Sequence, residues 1–321
     1  MLEIYPWLTP VWHKWQALSE THLVSGAMLC SAPNGYGVEQ MAKIFAHTLA
    51  CHNSTSEPCG FCHSCTLADA GNHPDIHWVI PEKEGKTITV DQIRRCNQWA
   101  LESSQLAGKR IIIIAPAEAM NESASNALLK TLESPSEHCV FLLLTNNRNR
   151  LLPTIISRCQ KWDLAEPDIN QTYQWLESQT AKDINFTGIR LSQGAPLKAL
   201  NFFEQNQYQD FQQLESNFYC LLRDESTDYT NAWKMIKDDV LNRLHWLYII
   251  LTDVQKTHFG LEEIGRCSKS HELAEIVSYQ AAYNAMLKLI ELINQLTHFT
   301  GLNSELMFTN WLIEIQEEIC S

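Results

Sequence analysis

The sequence predicts an α/β domain on a mostly parallel sheet, followed by a small helical domain and a larger all-α domain. Two observations carry the first part. Four short apolar runs rich in β-branched residues alternate with helical patterns, and the first run ends in a glycine-rich turn that opens a helix. A third observation carries the rest: strand patterns stop before Pro167, and helical periodicity then takes over.

The expected strands are "AMLCS" (27–31), "DIHWVI" (75–80), "RIIIIA" (110–115) and "CVFLLLT" (139–145). Between the second and third, "TVDQIRRCNQWALESS" places Thr89 three residues before Gln92, a capping box, with Val90, Ile93 and Trp99 at apolar positions of a helix. The α/β domain is expected over 1–165. Short helical patterns broken by "QGAP" give a small domain over 166–207. From 208 to 321, "FQQLESNFYCLL", "DVLNRLHWLYIILTDV", "AAYNAMLKLIELINQL" and "LMFTNWLIEIQEEI" are long amphipathic helices. Their wide apolar faces suit a closed bundle and an oligomer interface equally well.

At 321 residues and 45% apolar content, the chain can bury two or three cores. No apolar run approaches the roughly 20 residues of a membrane span, and "MLEIYPWLTPVWHKW" has no signal-peptide pattern, so a cytoplasmic location is expected. The net charge of −13 is uneven: residues 1–165 carry 13 Lys+Arg against 15 Asp+Glu, and residues 166–321 carry 11 against 22. An acidic half repels phosphate backbones, so proteins are the expected partners rather than nucleic acid gripped by this chain alone.

Eleven cysteines in a reducing compartment argue against a disulfide framework. Four of them, Cys51, Cys59, Cys62 and Cys65, fall in "CHNSTSEPCGFCHSC", a C-x7-C-x2-C-x2-C array. Zinc takes four thiolates tetrahedrally, and C-x2-C lets two sulfurs reach one ion from a tight turn, here with Pro58 and Gly60. His52 and His63 lie in the same loop as substitute ligands. A site filled by four protein ligands has no position for an activated water, so the expected zinc is structural.

The turn "LCSAPNGYGVEQ" (29–40) has the layout of a phosphate-binding loop without its chemistry. Set against GxxxxGK[ST], Ala32 replaces the first glycine, Gly35 and Gly37 remain, Val38 stands at the lysine position and Glu39 at the magnesium-binding hydroxyl. The strand "RIIIIAPAEAM" ends in Ala115 and Pro116 where an ATPase of this type needs an acidic pair, and Glu118 lies beyond the strand end. No ATP binding by this chain is expected. Taken alone, the turn is equally an ordinary strand-to-helix connection.

"SNALLKTLESP" (125–135), "LLLTNN" (142–147) and "LPTIISRC" (152–159), in that order, resemble the bacterial clamp-loader branch of the AAA+ proteins. The altered turn, the four cysteines and the opening "YPWL" (5–8) are similar to its non-hydrolysing type of subunit. The resemblance implies an AAA+ domain with a zinc module, a helical lid and a helical collar. It also implies membership of a hetero-pentameric ring within the DNA polymerase III holoenzyme. There the gamma or tau subunits bind ATP, the delta subunit acts as the wrench, and the ring loads a sliding clamp on primed DNA. A subunit of this type is a rigid stator. Its chemical contribution is the arginine of a Ser-Arg-Cys motif, matched here by Ser157, Arg158 and Cys159.

The physics of that motif can be argued separately. Pro153 opens a short helix, and an arginine near its end, always charged and forked, can neutralise charge developing on a neighbour's γ-phosphate. A surface salt bridge is the plain alternative for Arg158. For the whole chain there are two rivals: a zinc-containing AAA+-type ATPase with an unorthodox nucleotide site, and a zinc-dependent nucleic-acid-binding module. The first lacks a replacement cation near Val38, and the second lacks a basic stripe.

Overall fold

The computed structural model describes residues 3–83, 85–106, 108–223, 229–299 and 301–320. The chain divides into two compact units, Met1–Gln171 and Thr172–Ser321.

The first unit contains β1 (Gly26–Ser31), β2 (Ile76–Val79), β3 (Arg110–Ile114), β4 (Cys139–Thr145) and β5 (Gln160–Asp163) in one sheet of order β2-β3-β4-β1-β5. Every adjacent pair is parallel, with Gly26 opposite Val140 and Ser31 opposite Thr145 in the β1–β4 register. All residues of β3 and β4 are buried, as expected of unbroken apolar runs covered on both faces. Around the sheet lie α1 (Thr9–Glu20), α2 (Val38–Ala50), α3 (His63–Asp69), α4 (Val90–Leu101), α5 (Glu122–Glu133) and α6 (Pro153–Ile156). The capping box of α4 is present: Thr89 Oγ1 accepts from the Gln92 amide, and Gln92 Oε1 from the Thr89 amide. One core cluster joins Ile112 and Ile114, Phe141 and Leu143, Ile93 and Cys96, Leu128 and Leu132, and Ile155. The fifth strand, β5, is additional to the four runs expected. It is short, polar and mostly exposed, so it carries no hydrophobic signature.

The next helix, α7 (Ile169–Gln179), begins at the end of the first unit's residue range. The second unit continues through α8 (Phe186–Leu191), α9 (Pro196–Glu204), α10 (Gln207–Arg223), α11 (Tyr229–Lys234), α12 (Val240–His258), α13 (Ser270–Ile276), α14 (Tyr279–His298) and α15 (Ser304–Cys320). No strand occurs here among the described residues. Trp246 of α12 meets Phe202 of α9 and Phe211 of α10 edge-on at 5.8 and 5.9 Å. Arg190 of α8 forks onto Asp253 of α12 at 3.0 and 2.7 Å and also donates to the Gly265 carbonyl at 2.7 Å. No helix among the described residues is long and apolar enough to cross a membrane.

Candidate functional site

The four cysteines are gathered by helix ends. Cys51 caps the C-terminus of α2, while Cys62 caps the N-terminus of α3 and Cys65 lies in its first turn. Cys59 precedes Gly60, whose φ of +78° lets the chain turn back without a Cβ penalty. The four sulfurs all lie within 4.8 Å of one another, and Cys59 and Cys65 are 3.9 Å apart. Zinc–thiolate bonds of about 2.3 Å in a tetrahedron require sulfurs about 3.8 Å apart, so the four can hold one metal ion.

Amide donors favour thiolates in this cluster. Cys59 N–H donates to Cys51 Sγ at 3.4 Å and Cys65 N–H to Cys62 Sγ at 3.4 Å. Burial raises the Cys59 thiol, but amides of Phe61 and Cys62 and the adjoining sulfurs outweigh it and bring the group down to about 6. Burial and the neighbouring sulfurs push Cys65 up to about 12. Sulfurs this close cannot all ionise unless a cation compensates them, which is what a bound metal supplies. His52 is turned away, its Nε2 2.8 Å from the Leu106 carbonyl, and neither His52 nor His63 joins the cluster.

The module is fastened to the sheet. Ser64 Oγ donates to the Ala50 carbonyl at 2.6 Å and meets His73 Nε2 at 2.8 Å, while His73 Nδ1 accepts from the Asp75 amide at 3.1 Å. With the Ser64 proton committed to Ala50, His73 must be neutral with its proton on Nε2.

The glycine-rich turn lies at the carboxyl end of β1, the edge where open parallel sheets bind ligands. The Ala32 amide donates to Thr145 of β4 at 3.1 Å. Gly35 and Gly37 take φ of +92° and +76°, and Gly37 caps α2 in the left-handed region. Tyr36 and Val38 are buried and Glu39 is exposed. The N-terminal segment closes over this turn, a contact with no signal in the sequence pattern. Trp7 Nε1 donates to the Tyr36 carbonyl at 2.8 Å, and Tyr5 stacks on Trp7 and donates to Gln40 Oε1 at 3.1 Å.

Ala115 and Pro116 follow β3 at the same sheet edge, joined by a cis peptide bond. Glu118 accepts from the Asn146 amide at 3.0 Å through Oε1, so one carboxylate oxygen is engaged with the loop after β4.

Ser157 and Arg158 follow α6, which Pro153 opens as the sequence predicts. Arg158 is exposed, with Nη1 donating to the Thr154 carbonyl at 2.9 Å and Nη2 to Glu133 Oε1 at 2.5 Å. Ser157 Oγ donates to the same Thr154 carbonyl at 3.0 Å. Cys159 is a core residue whose thiol burial pushes up to about 11. Glu133 had no assigned role in the sequence reading. It lies inside the quoted 125–135 stretch, but its partner is 25 residues away.

A family model described as DNA polymerase III, delta subunit, matches residues 8–168, and one described as DNA polymerase III, delta subunit, C terminal, matches residues 205–317. A DNA polymerase III subunit delta' of Haemophilus influenzae is 30% identical, covering 99% of both chains. The chain belongs to the DNA polymerase III subunit delta' family. A second delta' relative, from Escherichia coli, is 30% identical over 97% of this chain and 95% of its own. Among solved structures, a gamma subunit-related protein of Thermotoga maritima is 17% identical with a TM-score of 0.46, covering 95% of this chain and 99% of that one. The two family models thus fall one in each compact unit.

Proposed function

We propose that this chain is a non-hydrolysing stator of a clamp loader, lending Arg158 in trans to the ATP of a neighbouring subunit while that assembly loads a sliding clamp on primed DNA. One observation carries the reading: the loop that would hold ATP has a buried valine at its lysine position, while an exposed arginine follows α6. An ATPase-like frame kept for geometry needs no nucleotide of its own.

In this reading the partners are gamma or tau subunits and the delta wrench in a hetero-pentameric ring of the DNA polymerase III holoenzyme, in the cytoplasm. Residues 1–165 act as the AAA+-like domain, 166–207 as the lid and 208–321 as the collar. The ion pair of Arg190 with Asp253 would couple lid to collar. Cys51, Cys59, Cys62 and Cys65 hold structural zinc, which gives the loop over 51–65 a fixed shape and no catalytic part. Arg158 approaches the γ-phosphate of the neighbour's ATP and offsets charge as the phosphoryl group transfers.

The test is reconstitution with Arg158→Ala and Arg158→Lys. Arginine fingers are worth roughly 10³–10⁵ in rate at their own site, so a ring with several sites loses only the share facing this subunit. ATP hydrolysis stimulated by clamp and DNA should fall partially, and clamp loading should fall further. Lysine should rescue poorly, because an ammonium lacks the planar fork. Normal hydrolysis and loading by a fully assembled Arg158→Ala complex would reduce Arg158 to a surface ion pair.

A further inference from the structure

We infer that Glu133 is a parking partner for Arg158, holding the guanidinium on its own subunit and competing for it with the phosphate of a neighbour. This rests on the trans-acting reading of Arg158.

The two side chains meet because the core fixes their elements. Glu133 is the last residue of α5 and Arg158 lies two residues past α6, and Leu128 and Leu132 of α5 share the core cluster with Ile155 of α6. The register is therefore set by packing, and the 2.5 Å contact between Nη2 and Oε1 follows from it.

The chemistry of the contact is that of an exchangeable pair. The Arg158 and Glu133 side chains are 32% and 51% exposed. Two other arginines of this chain are locked instead: the partner carboxylates of Arg110 and Arg190, Asp75 and Asp253, are 1% and 0% exposed. Releasing either would strand a buried charge, whereas Glu133 can return to water. Carboxylate and phosphate both match the guanidinium fork. Both cannot be held at once without cost, because the Glu133 charge would sit beside a γ-phosphate already accumulating negative charge. The Thr154 carbonyl is neutral and can stay bound while the fork changes partner. A pair this exposed is worth at most about fivefold in population, enough to restrain the arginine and too little to hold it against a bound nucleotide.

The experiment uses loader reconstituted with Glu133→Gln, Glu133→Asp, Arg158→Ala and the Glu133→Gln/Arg158→Ala double variant, assayed for ATP hydrolysis without clamp or DNA. At the one site facing this subunit Glu133→Gln should raise turnover up to about fivefold, so total kcat should rise by a smaller, measurable fraction at unchanged KM for ATP. Glu133→Asp, one methylene short, should behave similarly. The double variant should match Arg158→Ala, since parking acts only through that arginine. Thermal unfolding of the isolated chain should move by no more than about 2 °C for Glu133→Gln, because an exposed pair contributes little stability. An unchanged kcat, or one lowered toward the Arg158→Ala level, overturns the parking role. If Arg158→Ala itself leaves hydrolysis intact, the trans-acting reading has failed and parking falls with it. If Arg158→Ala lowers hydrolysis and Glu133→Gln leaves kcat unchanged or lowers it, parking alone fails.

Discussion

Arg110 is 1% exposed, and its charge is answered on several sides. It donates to Asp75 Oδ1 at 3.1 Å, Glu102 Oε2 at 2.6 Å, the Ser103 carbonyl at 2.8 Å and the Trp99 carbonyl at 3.2 Å. Asp75 in turn accepts from the amides of Gln105 and Leu106 and from Ser104 Oγ. Burial alone would raise the Asp75 carboxyl, but these donors and the guanidinium hold it below its usual value. Arg110→Ala should therefore cost about 3–5 kcal/mol in denaturant unfolding, because Asp75 keeps its burial and loses its counter-charge. Arg158→Ala should cost about 1 kcal/mol or less in the same measurement, its partner being half in water. Sequence could not rank these two arginines. It placed Arg158 through a local motif, whereas Arg110 and Asp75 are 35 residues apart and meet only because β2 and β3 pair. The cysteines were legible for the opposite reason: a metal needs its ligands close in space, and a short loop makes them close in sequence too.

Among elements, legibility followed burial. The runs at 110–115 and 139–145 match β3 and β4 within one residue, because central parallel strands must be apolar throughout. The edge strand β5 escaped notice, since a four-residue strand facing water has no such demand. The short α3 is a different case: it is only seven residues long, and isolated helices of that length are not stable in water. Its first turn is held by Cys62 and Cys65, and its link to the sheet by Ser64 and His73. If zinc organises this module, the purified chain should carry one zinc per molecule. Changing Cys62→Ser and Cys65→Ser together should reduce that to none by elemental analysis. The same double variant should open the loop over 51–65 to limited proteolysis while cleavage elsewhere stays unchanged, because the core cluster built on Ile112, Ile114, Phe141 and Leu143 does not include these residues. Full zinc content in the double variant would remove the assignment.

At the scale of the whole molecule, the chain divides into two compact units, Met1–Gln171 and Thr172–Ser321. Burial lowers three histidines of the first unit, His47, His73 and His77, and His245 of the second. His77 in the first stacks on Trp99 at 4.1 Å, and its Nε2 is buried without a hydrogen-bond partner. Burial pushes it below the ordinary 6.5, and the charge of Arg110 adds to the effect. In the second unit, burial and then Lys198 lower His245. A histidine whose folded pKa lies below its unfolded value binds its proton first in the unfolded chain. The associated stability is thus fully present above pH 6.5 and is lost as pH falls through the depressed value. Asp75 and Asp253 are also lowered, but they withdraw stability only below their ordinary 3.8, so they do not act in the same window. Glu215, raised by burial from 4.5, works the other way in the second unit: it binds its proton first in the folded chain and regains stability as pH falls. Unfolding midpoints in urea should therefore decline as pH falls below about 6.5, with the first unit declining more steeply because three of its described histidines are lowered while Glu215 opposes the trend in the second. His77→Gln keeps a polar planar group without a titration. It should reduce that slope in the first unit by His77's share, with His47 and His73 still contributing, while leaving the second unit's slope as it was. A slope unchanged by His77→Gln would mean that other groups carry the acid sensitivity of the sheet domain.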